Sequence, residues 1–158
     1  MSNWKKIRYR LEWLGVQWLY FAIPRLPRKW ALQLGKALGS LAFMIDRRGR
    51  SVAIENLTLI YGSEKSERMI RLLARDSYRG FAQTVVDQFW SSRLNKDNYL
   101  NYCETQIDDP EALEKALETG AIWVTPHYGN FEWIALIMGF HGYKFTIIAQ
   151  EMKNSSLI

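Results

Sequence analysis

His127 and Glu132 are the two residues of this chain whose types and spacing could do acid–base chemistry. They bracket Tyr128-Gly129-Asn130-Phe131, and Pro126 stands directly before the histidine. A carboxylate within reach of one ring nitrogen fixes the imidazole's tautomer and stabilises its protonated form. The other nitrogen is then left to take a proton. On one continuous helix, a spacing of five turns through about 500° and sends the side chains apart. They can meet only with His127 in a loop and Glu132 in the first helical turn, and Pro126 and Gly129 favour such a loop. The amides of Gly129, Asn130 and Phe131 would then lie at a helix N-terminus, where they can stabilise an oxyanion. The same residues also permit a plainer arrangement, a histidine ending a strand with Glu132 on a solvated turn.

The elements that must position this pair follow from the flanking pattern. Ala121-Ile122-Trp123-Val124-Thr125 reads as a short buried strand. Trp133-Ile134-Ala135-Leu136-Ile137-Met138 reads as an apolar helix, and Lys144 to Ala149 as a second strand. Strand, helix, strand predicts a right-handed parallel crossover with the site at the strands' C-terminal edge. The segment from Asn98 to Ile107 is a further candidate strand. The helix after it is sharply bounded by Asp109 as cap, Pro110 at its first position and Gly120 past its end. The expected fold class is α/β.

The motif Thr125-Pro126-His127 followed by Tyr-Gly-Asn-Phe-Glu resembles the His-x4-Asp/Glu motif of glycerolipid-type acyltransferases. Its Gly-Asn-aromatic-Glu form resembles the bacterial lipid A biosynthesis acyltransferases, the late lauroyl and myristoyl transferases. Asn56-Leu57 and Lys153-Asn154 resemble two further segments of that family, and the resemblance extends over most of residues 40 to 158. It implies N-terminal membrane-associating helices over residues 1–45 and the first βαβ part of an acyltransferase domain over 46–158. It further implies His127 and Glu132 as the catalytic dyad, with Gly129, Asn130 and Asn154 binding the oxyanion or substrate. The implied donor is an acyl thioester on acyl carrier protein or coenzyme A, and the implied acceptor a hydroxyl of a glycolipid. The implied location is the cytoplasmic face of a bacterial inner membrane. Gln150 stands where the family has an arginine, and the family's chains continue through more strands and an arginine-glycine motif. The expectation is therefore an amino-terminal piece of such an enzyme, with weak activity alone. An acyltransferase acting on glycerophospholipid or a phosphatidylinositol mannoside, and an inactive membrane-binding module, are the alternatives.

The first third of the chain suits that location. Residues 1–50 carry a net charge of +9 and the remainder −4, which suggests contact with a polyanionic surface. Trp4, Ile7, Leu11, Leu14, Trp18 and Phe21 recur at helical spacing, with Lys5, Lys6, Arg8 and Arg10 crowding the first turns. The apolar stretch Trp13–Ile23 is about 16 Å long as a helix, roughly half a bilayer core, which leaves open whether it spans or lies in the interface. A basic start and tryptophans at several depths fit a helix lying in an anionic interface rather than a nucleic-acid contact. Packing on its own domain is the alternative. A second helix is predicted over Trp30–Ile45, its Gly35 and Gly39 marking a tight packing site. A basic loop, Arg47 to Arg50, leads to a helix ending near Gly62. A longer helix capped by Ser63 runs to Trp90, with Ile70, Leu73, Ala74, Tyr78, Phe81, Val85 and Phe89 as its apolar face. Arg68, Arg71, Arg75 and Arg79 form a stripe elsewhere on it, either solvated and paired with Glu67 and Asp76 or docking an acidic carrier or lipid phosphates.

Other chemistries find little support. No Gly-x-Ser-x-Gly elbow and no phosphate-binding glycine loop occurs. Cys103 is the single cysteine, which excludes an internal disulfide. His127 and His141 are the only histidines, too few for a histidine-built metal site, and His141 sits in a Gly139-Phe140-His141-Gly142 surface turn. No cofactor is expected. At 48% hydrophobic and 23% charged the composition is that of a globular domain, with seven Trp and eight Tyr an unusually aromatic one.

Overall fold

The structure, a computed structural model, describes residues 3–148. Its regular elements are helical: α1 (Asn3–Ala22), α2 (Arg28–Ile45), α3 (Arg47–Tyr61), α4 (Glu67–Trp90), α5 (Pro110–Thr119) and α6 (Glu132–Phe140), with short 3₁₀ turns at Ile23–Arg25, Ser91–Arg93 and Tyr99–Asn101. Two compact units divide the chain. One is Leu11–Ser92; the other gathers the described residues from Arg93 onward with the start of the chain up to Arg10.

The first unit is built on the antiparallel pair α2 and α4. Ala31, Gly35, Gly39 and Phe43 recur every four residues and form the buried face of α2. Glycine is required there: a β-carbon on Gly35 would lie 2.7 Å from the Gln83 Cα, and one on Gly39 2.5 Å from the Tyr78 carbonyl oxygen. The tight packing expected of the Gly35/Gly39 spacing is thus an α2–α4 seam within the chain. Polar bonds fasten it along its length. Trp90 Nε1 donates to the Leu26 carbonyl at 3.0 Å, and Gln83 to the Leu32 carbonyl at 3.2 Å. Arg28 donates through Nε and Nη2 to both carboxylate oxygens of Asp87, each at 2.9 Å. Asp87 is 3% exposed, so this bidentate pair satisfies a charge that would otherwise be costly to bury. The edge of Tyr20 on α1 meets the Phe89 ring at 4.8 Å.

Only Asp46 separates α2 from α3. It accepts hydrogen bonds from the Gly49 amide and the Tyr78 hydroxyl, both at 2.9 Å. The first lowers its carboxyl below the ordinary aspartate range, and the tyrosine bond adds to the effect. Burial, and then this carboxylate, raise the Tyr78 hydroxyl above its usual value. The expected basic loop is therefore absent: a capping aspartate lets Arg47–Arg50 form the first turn of α3. The cap of α4 is Ser66, whose hydroxyl accepts from the Met69 amide, not Ser63. The Tyr61 carbonyl accepts from Glu64 and Lys65 and so holds Ser63 inside a turn.

The buried face of α4 also departs from the single stripe expected. Ile70 and Ala74 are buried near its start, whereas Val86, Asp87 and Trp90 are buried near its end. Phe81 is 72% exposed. The helix packs on both α2 and α3, and the face it turns inward rotates along its length. Of the arginine stripe, Arg79 is committed to the Ser40 hydroxyl at 2.7 Å and to Asp76 at 3.1 Å. Arg68 and Arg71 are exposed.

The α/β expectation is overturned. No strand occurs among the described residues, and of the anticipated βαβ unit only the helix α6 is formed. Ala121–Thr125 and the described part of Lys144–Ala149 are irregular and lie in solvent, with Ile122 95%, Val124 91% and Ile148 98% exposed. Apolar β-branched runs supply only a local preference for extended backbone, whereas a sheet needs non-local partners, and two short strands cannot sustain one. Ala149 lies outside the described residues. At 98–107 the expected strand is replaced by the turn Tyr99–Asn101. There the Asn95 side chain accepts from the Asp97 and Asn98 amides, and the Asn98 side chain from the Asn95 amide. Such local side-chain bonds compete directly with a ladder. No helix among the described residues is long and apolar enough to cross a membrane.

Candidate active site

The motif lies in the unit that contains α5 and α6. The Asp109 carboxylate accepts from the Ala112 amide at 2.9 Å and starts α5 as its sequence predicts. Gly120, at φ +81°, then redirects the chain toward the motif. After Pro126 the Tyr128 amide donates back to the Pro126 carbonyl at 2.9 Å. Gly129 adopts φ +55°, a left-handed conformation that glycine takes without strain. The Trp133 and Ile134 amides donate to the Asn130 and Phe131 carbonyls, which opens α6 at Glu132.

His127 therefore sits in a tight loop and Glu132 in the first turn of α6, the placement without which the two side chains could not meet. The imidazole meets the Phe131 ring at 4.4 Å between centroids and 64° between planes. Both His127 and Glu132 are exposed. One stands in the loop and the other on the helix that follows it, and no hydrogen bond or ion pair joins them. Gly129, Asn130 and Phe131 precede the helix start, and Trp133, 7% exposed, anchors the first turn in the unit's core. Asn154, with Lys153 and Gln150, lies outside the described residues.

A cleft of about 710 Å³ runs along the opposite end of the same helix. Ile134, Ile137, Met138 and His141 follow each other at helical spacing on one wall, and Leu113 of α5 and Ile122 contribute others. Its lining is mainly apolar, and its size falls within the ordinary range of ligand pockets. His141 is more than a surface turn residue. Its Nε2 lies 3.1 Å from the hydroxyl of Tyr99, which is itself buried, and its ring stacks on Tyr143 at 13°. Tyr99 carried no signal in the sequence, because 42 residues separate it from its hydrogen-bond partner. No group of three or more His, Cys, Asp and Glu side chains that could hold a metal gathers among the described residues.

This arrangement offers one exposed imidazole, one carboxylate on the following turn and an apolar cleft beside the same helix. Those parts suit acyl transfer from a greasy donor. No curated protein and no solved structure gives a significant match to the chain. The family described as bacterial lipid A biosynthesis acyltransferase matches residues 2–158, nearly the whole chain, and the protein belongs to that family.

Proposed function

We propose that this protein transfers a fatty acyl group from an acyl thioester, carried on acyl carrier protein, to a hydroxyl of a lipid A-type glycolipid precursor. The observation that carries the reading is the placement of His127 in a loop and Glu132 in the first turn of α6, within a chain of an acyltransferase family. One nitrogen of His127 takes the acceptor hydroxyl's proton as that oxygen attacks the thioester carbonyl. A carbon–oxygen bond forms, the carbon–sulfur bond breaks, and the imidazolium returns the proton to the departing thiolate. Glu132 orients the ring and stabilises its charged form once the side chains close on a substrate. The Gly129–Phe131 amides stabilise the oxyanion. The apolar cleft along α6 accommodates the acyl chain. The reaction takes place at the cytoplasmic face of a bacterial inner membrane, to which the basic, tryptophan-rich N-terminal segment holds the protein.

The test is rapid quench of the membrane-reconstituted enzyme with labelled acyl carrier protein, with and without extracted glycolipid. Direct transfer predicts label in the lipid and none on the protein. A stoichiometric protein-bound acyl group in the absence of acceptor would overturn it and make Cys103 or a serine the nucleophile. Label appearing in glycerophospholipid instead would reassign the acceptor.

A further inference from the structure

The outer face of α2 is a second apolar surface, separate from the stripe on α1. Trp30, Leu34, Leu38, Leu41 and Ile45 follow each other at intervals of three and four and are 65%, 38%, 45%, 51% and 70% exposed. At about 100° per residue they fall within an arc of roughly 80°, and the row is roughly 22 Å long. The face cannot turn inward, because Ala31, Gly35, Gly39 and Phe43 commit the neighbouring side of α2 to α4. The only charge between its ends, Lys36, projects about 160° away from the row.

We infer that this face lies in the headgroup–acyl boundary of an anionic bilayer, with α2 parallel to the membrane plane. The inference rests on the membrane location proposed above and adds a specific contact to it. Three observations select lipid as the occupant. Exposed Lys29 flanks the row at one end and exposed Arg47 and Arg48 at the other, with Asp46 the one acid beside them, so both ends complement anionic headgroups. Trp30 stands at the end of the row, as an interfacial anchor does. Pairing with a second copy would bring like-charged ends together. Moreover, α2 is not apolar enough to cross a membrane, so its stripe is suited to lying along one.

The experiment uses the whole chain in a Cys103→Ser background, with an environment-sensitive fluorophore on one introduced cysteine at Leu38, Trp18 or Glu64. Vesicles of phosphatidylethanolamine and phosphatidylglycerol, with and without shallow nitroxide lipids, are the probe. The expected result is a blue shift and nitroxide quenching at positions 38 and 18, with position 64 unchanged. The double variant Leu34→Glu/Leu41→Glu should keep its helical circular dichroism and lose at least about tenfold in vesicle partitioning. Position 38 remaining aqueous while position 18 enters lipid would overturn the inference and leave the membrane reading standing. Both positions remaining aqueous would overturn both. A blue shift at 38 without vesicles, accompanied by a dimeric mass, would assign the face to a second copy.

Discussion

Asp46 shows how much one side chain can hold together. It caps α3, receives the Tyr78 hydroxyl of α4, and forces glycine at 49, where a β-carbon would fall 2.2 Å from its Oδ2. Its carboxyl is held below the unfolded value, so the stability it contributes is complete above the ordinary aspartate pKa of about 3.9 and is lost as pH falls through the lower folded value. Tyr78 is raised, so its contribution is complete below about pH 10 and is lost as pH rises through its higher folded value. Thermal melts of Asp46→Asn should show a shallower acid limb than the parent, because the amide keeps an acceptor for the cap and has no carboxyl to protonate. An unchanged acid limb would show that other carboxylates govern acid unfolding. His127 and Glu132 belong to the same scale. His127→Ala should lower turnover by about 10²–10⁴-fold, and Glu132→Gln should lower turnover with donor binding retained, readable as kcat falling while KM holds. The loop at His127 and the helix start at Glu132 were legible in the sequence, because a proline and a glycine a few residues away set them locally. The Tyr99–His141 contact was not, since only tertiary packing brings those two side chains together.

Helices were the legible elements and strands were not, for a physical reason. The start of α5 at Pro110, its end at Gly120 and the opening of α6 at Glu132 depend on caps and turns a few residues away, so local sequence specifies them. The runs at 121–125 and 144–149 depend on partners distant in sequence, and among the described residues none pairs with them. The face of α4 failed for a related reason: periodicity assumes one partner per helix, and α4 has two. The glycines then divide sharply by environment. Gly39→Val should destabilise the first unit by about 1–3 kcal/mol, because the added atoms meet backbone rather than movable side chains. Gly80→Ala, with nothing within 4 Å of the new β-carbon, should stabilise α4 by roughly 0.5–1 kcal/mol. Asp87→Ala should cost about 1.5–3 kcal/mol, since it removes the carboxylate that accepts both bonds of the Arg28 guanidinium. Denaturant melts of the three variants order these effects, and a neutral Gly39→Val would sink the close α2–α4 seam.

Charge is distributed unevenly along the whole chain. Net charge is +9 over residues 1–50 and −4 over the rest, and the exposed apolar rows of α1 and α2 both fall in the basic part. In the proposed membrane binding, attraction to anionic lipid and burial of those rows would be separable contributions, because salt screens the first within about 8–10 Å and leaves the second. Partitioning onto phosphatidylglycerol-containing vesicles should therefore fall as salt is raised and level off at the value measured on neutral phosphatidylcholine. Each basic residue near the surface contributes about 1 kcal/mol. Arg47→Glu/Arg48→Glu should thus lower binding to anionic vesicles by well over tenfold while leaving binding to neutral ones unchanged. Equal losses on both lipids would mean that the substitutions had damaged α3, whose first turn they occupy, and circular dichroism of the same samples would register it. Binding abolished by salt on both lipids would show that apolar burial contributes nothing. The two rows would then have to be covered by protein, and the membrane orientation of the whole chain would have to be abandoned.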